Sequence, residues 1–307
     1  MDQAIALARA DSEEDETTWD FIAPLDWRDG FTRVAERHAR LAEIEREIDE
    51  EVYRLYGISE EDRRAIEAEL GEGVDNHDHD ESGTADHGSE SQEVARQRTA
   101  RQELTRQWIS YAVGIGMGQF HPGVEGSPGC GRFAKEFAVR LRALTDADGV
   151  LVVDPGHPDE LAAKVLTVLE IILGEDGAVE VVTGALGNRG EARELLRAYL
   201  ADKFFKEHTK KYRKRPIYWY LRSAKSNYGL WLYYHRLDKD ILFRELINYV
   251  EPKIRLEEDR INTLRSRRRA AGSSGREAKQ IEKEIDRQEQ FISELRDFKG
   301  KLRCASS

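Results

Sequence analysis

Apolar residues recur along this chain mostly at helical spacing. From Asp26 on, Phe31, Val34, His38, Leu41, Ile48, Val52 and Leu55 fall at threes, fours and one seven, which predicts a long amphipathic helix capped by Gly57. The acidic run before it, Asp11 to Glu16, reads as a solvated, poorly ordered lead-in. Ser59-Glu60-Glu61-Asp62 resembles a capping box for a short helix through Leu70, so the two helices form an αα-hairpin. Gly71 to Glu93 is almost free of apolar residues and reads as a disordered linker. Helix resumes from about Val94 to Val113, before the Gly- and Pro-rich loop "HPGVEGSPGCG".

"DGVLVV", Asp148 to Val153, predicts a short strand. Pro158 suits the first position of a helix whose Leu161, Val165, Val168, Leu169, Ile172 and Leu173 make an apolar face that Gly174 stops. Another helix, from Glu191 to Lys211, turns Leu195, Leu196, Tyr199, Leu200, Phe204 and Phe205 inward. "PIYWYL" and "LWLYYH" flank "SAKSNYG" and predict a β-hairpin. Beyond Pro252 lies a charged helical pair, broken at Ala270 to Gly275, with Ile281, Ile285, Ile292, Leu295 and Leu302 as a heptad-like seam. The pair reads as a rigid spacer or dimer arm.

The fold class expected is mainly α with a small β component (α+β). The domains expected are 1–70, an acidic lead-in and helical hairpin; 71–93, a His/Asp-rich linker; 94–250, an α+β body; and 251–307, the helical spacer pair.

Composition agrees with this picture. The chain has 307 residues, 35% charged and 39% hydrophobic, a balance that suits much exposed helix. No apolar run approaches the ~18 residues of a membrane span, and the acidic N-terminus is no signal peptide. Cys130 and Cys304 lie far apart, as reduced thiols in a cytoplasmic protein would. A net charge of -11 argues against general nucleic-acid binding but leaves room for a local basic patch.

Tests for catalytic chemistry come out negative. His77, His79 and His87 sit among carboxylates in a tract without a scaffold, so no metal site is assigned. "GIGMG", Gly114 to Gly118, follows a helical pattern where a nucleotide-binding turn would follow a strand, and close helix packing explains it better. "GVEGSPGCGRF" lacks the Gly-Lys-Ser/Thr ending of a phosphate loop. No catalytic residue is assigned.

One stretch contradicts the acidic whole: "KKYRKRPIYWYLRSAKSNYGLWLYYHRL", Lys210 to Leu237. Lys210, Lys211, Arg213, Lys214 and Arg215 are suited to phosphate contact. Tyr218, Trp219 and Tyr220 alternate faces, so one face could pack inward while the other meets DNA by stacking or groove contact, and Tyr218 and Trp219 are the aromatic candidates. Arg222, Lys225, Asn227 and Arg236 lie on or near the same hairpin and complete the candidate DNA-binding set. The competing reading makes the aromatics core and the cations a solvated helix end, favoured there by the helix dipole.

Several segments together resemble one family, the PglX adenine-specific DNA methyltransferases of the BREX phage-defence system, themselves similar to large single-chain restriction–modification enzymes. They are "ETTWDF" (Glu16 to Phe21), "EIDEEVYRLYGIS" (Glu47 to Ser59), "ISYAVGIGMGQF" (Ile109 to Phe120), "DGVLVV" and, most specific, "KKYRKRPIYWYLRS…LWLYYHRLDKDIL" (Lys210 to Leu242). Their order matches the part of the family that follows the methyltransferase domain. The resemblance covers most of the chain apart from the His-rich linker and the final tail. Where the family commonly has an arginine and an aromatic after the glycine of "SYAVG…G", this chain has Gln119 and Phe120, and the following loop is enlarged.

The family's Asn-Pro-Pro-Tyr motif, which holds a flipped adenine, has no counterpart, because none of the seven prolines has a proline neighbour. Nor does a strand-linked glycine turn for S-adenosylmethionine occur. The resemblance therefore implies a C-terminal recognition and spacer portion whose partner is double-stranded DNA. S-adenosylmethionine serves the full-length family, with no cofactor in this chain and no methyl transfer by it alone. The alternative is a structural subunit docking onto a separate methyltransferase half or other BREX proteins.

Overall fold

The computed structural model describes residues 2–64, 89–270 and 275–305. It divides into two compact units, one up to Gln107 and one from Trp108 on.

The first unit holds α1 (Asp2–Glu14), α2 (Gly30–Tyr56) and the first part of α3 (Ser89–Met117). Phe21, Leu25, Trp27, Ile44 and Leu104 form its buried apolar set. Contrary to the expected lead-in, Asp11 to Glu14 close α1, because Arg37 of α2 supplies their counter-charge. Its guanidinium donates to both oxygens of Glu14 at 2.8 and 2.9 Å and to Asp11. α2 ends as expected, with Gly57 left-handed (φ 64) and its N–H bonded to the Tyr53 carbonyl. Only the N-terminal half of the predicted face is covered; Ile48, Val52 and Leu55 are exposed. Ser59 Oγ accepts the Asp62 N–H at 3.2 Å, as a capping box requires, and 60–64 are helical. The rest of that helix, the linker as far as 88, and His77, His79 and His87 lie outside the described residues, while 89–93 already belong to α3.

The second unit is built on a three-stranded antiparallel sheet, β1 (Val150–Val153), β3 (Gly229–Tyr233) and β2 (Tyr218–Arg222) in that spatial order. Val150 pairs with Leu232 and Tyr220 with Trp231. The uninterrupted apolar run of central β3 follows from its being covered on both faces. On one face, Val150, Val152, Leu230 and Leu232 share a core with α8 (Ile241–Glu245), the turn Leu246–Val250, α9 (Glu251–Ala270) and α10 (Arg276–Ala305). The expected spacer is thus part of the body, since Leu295 and Leu302 of its seam pack against the sheet.

On the other face, Phe204 and Phe205 meet Trp231 edge-on, with ring centroids 5.4 and 6.0 Å away. They open α7 (Phe204–Lys211), which follows α6 (Ala192–Asp202); the single expected helix breaks at Lys203. α5 (Leu161–Leu186) is interrupted at Gly174 (φ 77, ψ 167), which ends the first helical segment as expected but leads at once into a second. A further helix, α4 (Lys135–Leu144), lies in a stretch to which the sequence pattern assigns no element.

α8 to α9 form one continuous helical run with a wide turn in the middle. The Glu251 N–H bonds the Leu246 carbonyl, five residues back, directly before Pro252. Proline lacks an N–H and crowds the preceding turn, and a widened π-type turn accommodates it without ending the helix. Among the described residues, the composition is mainly helical with this one small sheet, and no helix is long and apolar enough to cross a membrane.

Candidate nucleic-acid interface

The basic segment is the link between α7 and edge strand β2, and its shape comes from the backbone. Lys214 N–H bonds the Thr209 carbonyl at 2.8 Å and Arg215 N–H the Tyr212 carbonyl at 2.9 Å, closing the helix end. The chain turns through Arg213 (φ 49) and Lys214 (φ 65), two consecutive non-glycine residues in the left-handed region. Each costs about 1–2 kcal/mol for a side chain with a Cβ. Lys210, Arg213, Lys214 and Arg215 are exposed, Lys211 is half-buried, and no carboxylate pairs with the four exposed cations among the described residues.

His208 locks this link to the sheet. Its Nε2 accepts the backbone N–H of Ile217 at 3.0 Å and of Tyr218 at 3.2 Å. The ring lies between Tyr212 and Tyr218, with centroids 4.5 and 4.6 Å away. Burial, aided by the charge of Lys211, pushes the imidazole down to about 3, so it is neutral and accepts at Nε2. Sequence reading missed His208; its i to i+4 spacing from Phe204 and Tyr212 is the available signal.

The aromatic candidates separate. Tyr218 is 1% exposed, and its hydroxyl donates to Gln119, whose Nε2 in turn donates to the Tyr212 hydroxyl at 3.2 Å. As a DNA-facing residue Tyr218 is corrected to core: its side chain is covered by His208, which stacks on it, and by Gln119. Tyr220 stacks on Trp231 at 4.5 Å, and burial pushes its phenol up to about 12. Trp219 is 43% exposed on the edge strand beside the basic turn, as a stacking residue must be.

Two hairpin candidates turn out to hold structure. Arg236 donates to the carbonyls of Asp146 and Ala147, both at 2.6 Å. It packs so closely over Gly118 that a Cβ there would lie 2.7 Å from its Nη2. It clamps the entry to β1, a role visible only once the fold brings residues 90 apart together. Asn227 donates its side-chain amide to Glu294 of α10 at 2.7 Å, and the Lys225 backbone N–H donates to the other Glu294 oxygen at 2.7 Å. Burial alone would raise the Glu294 carboxyl, but hydrogen bonds from Ser223, Asn227 and the turn backbone hold it below its usual range. Arg222 and the side chain of Lys225 remain exposed.

Two glycines of "GIGMG", Gly114 and Gly118, are closely approached, by the Phe120 ring and the Arg236 side chain rather than by the packed helix expected, while a Cβ at Gly116 would meet only ordinary contacts. A Cβ at Gly114 would sit 2.3 Å from the Phe120 ring, so that ring replaces the side chains the helix lacks there. Among the described residues no cluster of His, Cys, Asp and Glu suits a metal ion, and both cysteines are free thiols.

No family model matches the chain. It is 29% identical to a protein of Escherichia coli O9:H4 (strain HS) named adenine-specific methyltransferase BrxX, over 98% of this chain and 27% of that protein. It is 26% identical to the adenine-specific methyltransferase PglX of Lacticaseibacillus casei (strain Zhang), over 81% of this chain and 21% of that protein. The chain thus spans roughly a quarter of the length of the relatives it matches.

Proposed function

We propose, on the premise that this chain is a relative of the BrxX and PglX adenine-specific methyltransferases, that it is a DNA-positioning and target-recognition portion of a BREX-type N6-adenine methyltransferase. The observation that carries this reading is the basic turn. In a chain of net charge -11, four exposed cations without carboxylate partners stand at a helix end and the turn after it, two of them, Arg213 and Lys214, in a costly backbone conformation, near an exposed tryptophan. Strained backbone at a charged surface turn favours a functional role over a merely solvated helix end.

Lys210, Lys211, Arg213, Lys214 and Arg215 serve as phosphate contacts, Trp219 as a stacking or wedge contact, and Arg222 and Lys225 as the residues within reach of base edges. Methyl transfer and S-adenosylmethionine binding belong, in this reading, to residues outside the chain, and its setting is the cytoplasm. Duplex DNA affinity measured across a salt series tests it. Each phosphate neutralised contributes about 0.9 to the slope of log affinity against log salt. Replacing Lys210, Lys214 and Arg215 by Gln should flatten the slope by roughly 2 to 3. Unchanged affinity and slope, with and without a supplied methyltransferase partner, would sink the reading.

A second reading is favoured by α2, whose Ile48, Val52 and Leu55 are exposed at spacings of four and three. On that reading the chain is a structural subunit that docks a methyltransferase half or another BREX protein through this helix. Loss of co-purification on Leu55→Glu, with DNA binding unchanged, would favour it.

A further inference from the structure

The hairpin turn, the segment after β1 and the helices α9 and α10 line an open cavity of about 490 Å³, within the ~300–1,000 Å³ of small-ligand sites. Its carboxylates are all engaged. Lys253, itself 9% exposed, bridges Asp154 at 2.7 Å and Glu257 at 2.6 Å. Glu257 also accepts from Arg260 at 3.0 Å and from Gln288. Glu294 holds the hairpin turn through Lys225 N–H and the Asn227 amide.

Two of the lining cations are not so engaged. Lys225 on the turn and Arg287 on α10 are exposed, and neither has a carboxylate partner among the described residues. The half-buried ring of Phe291, packed on one side against the core, also lines the cavity, with Lys253 Nζ 5.8 Å from its centroid. Four cations therefore line the cavity against three carboxylates, beside a flat apolar wall.

We infer that this cavity binds a nucleoside monophosphate unit, with the base against Phe291 and the phosphate on Lys225 and Arg287. An aromatic ring that shares one cavity lining with two uncommitted cations matches a ligand that is planar at one end and doubly anionic at the other. An acidic peptide would satisfy the cations but leave the ring face unused. The site is built from the hairpin tip and the C-terminal helices; it shares Lys225 with the proposed duplex contacts but none of the cations of the basic turn at the other end of β2.

Calorimetric titration of the full chain with dAMP, dTMP, deoxyadenosine, inorganic phosphate and a glutamate-rich peptide tests the inference. Both nucleotides should saturate, with the nucleoside and phosphate each binding at least about tenfold more weakly, as two half-ligands do. Arg287→Ala and Lys225→Ala, both at exposed positions, should each weaken dAMP by about five- to tenfold through loss of a charge-assisted contact. Phe291→Leu should weaken the nucleotides while leaving phosphate unchanged. A single-stranded oligonucleotide that displaces dAMP and binds more tightly marks the ligand as part of a strand; equal or weaker binding marks a free nucleotide. The inference is overturned by absence of saturable dAMP binding up to about 10 mM, by unchanged affinity in the Lys225→Ala/Arg287→Ala double variant, or by a peptide that binds and is not displaced by nucleotide. The Lys210, Lys214 and Arg215 variants should leave dAMP affinity unaltered, which keeps failure here distinct from failure of duplex binding.

Discussion

The carboxyl of Glu245 has no exposed surface, and neither of its oxygens has a hydrogen-bond partner among the described residues. Burial, with the charges of Asp148 and Asp146 against that of Arg244, pushes it up to about 8. The folded chain therefore holds this proton between the ordinary glutamate value of 4.5 and about 8, while the unfolded chain has released it. Stability is fully present below that window and falls as pH rises through it. Asp148, pushed up to about 6 by burial and by Asp146, adds to the fall in the lower part of the same window. Glu245→Gln, which cannot ionise, should flatten the decline of the urea midpoint with rising pH and exceed the parent at about pH 8. A decline as steep as the parent's would refute this. Arg37 shows the opposite case: hydrogen bonding to Glu14, with Asp11 assisting, overcomes burial and holds its charge firmly. Arg37→Ala should cost about 1–3 kcal/mol and raise hydrogen exchange in 2–14 more than in the sheet. The acidic run is plain in the sequence, but its counter-charge stands 23 to 26 positions away, where no local pattern can show it.

Among the elements, the turn between α7 and β2 sets stability against use. Lys214→Gly removes a Cβ from the left-handed region and should stabilise by up to about 1 kcal/mol. If the cation meets phosphate, the same variant should bind duplex DNA more weakly, with a salt slope reduced by roughly 0.9. Thermal melting and the salt series together read both effects; a gain in stability with no loss of binding would leave Lys214 a solvated residue. The hairpin itself was legible, because Tyr, Trp and Leu runs around "SAKSNYG" have few other uses. What Asn227 does was not, since its partner Glu294 arrives on α10, 67 positions later. Glu294→Ala should free the turn at a cost of about 1–3 kcal/mol, the range for orphaning buried donors. The break at Lys203 and the fate of Tyr218 were equally hidden. Both depend on Trp231 and His208 filling the space beneath the hairpin.

At the scale of the molecule, incubation of the chain with labelled S-adenosylmethionine and DNA should give no methyl incorporation above background. In the proposed reading that chemistry belongs to residues outside the chain, and the Asn-Pro-Pro-Tyr sequence that the resemblance links to gripping the adenine does not occur in it. Incorporation, or saturable cofactor binding, would contradict this. The mainly helical class with a small sheet followed from periodicity alone, as the spacing of Leu161, Val165, Val168 and Leu169 illustrates. The joining of the C-terminal pair to the sheet did not, because Leu295 and Leu302 fit a helix–helix seam and a helix–sheet core equally well at heptad spacing. The wide turn before Pro252 has a consequence for that core. One residue more than an ordinary helical turn holds is a phase advance of about 100° for everything downstream. Downstream of it, Lys253, Glu257 and Arg260 line the cavity at the hairpin tip, and Ile254 and Ile261 are buried. Deleting Asn248 would keep every one of those residues and still point them elsewhere, so the turn works as an angular setting that α9 carries along its whole length.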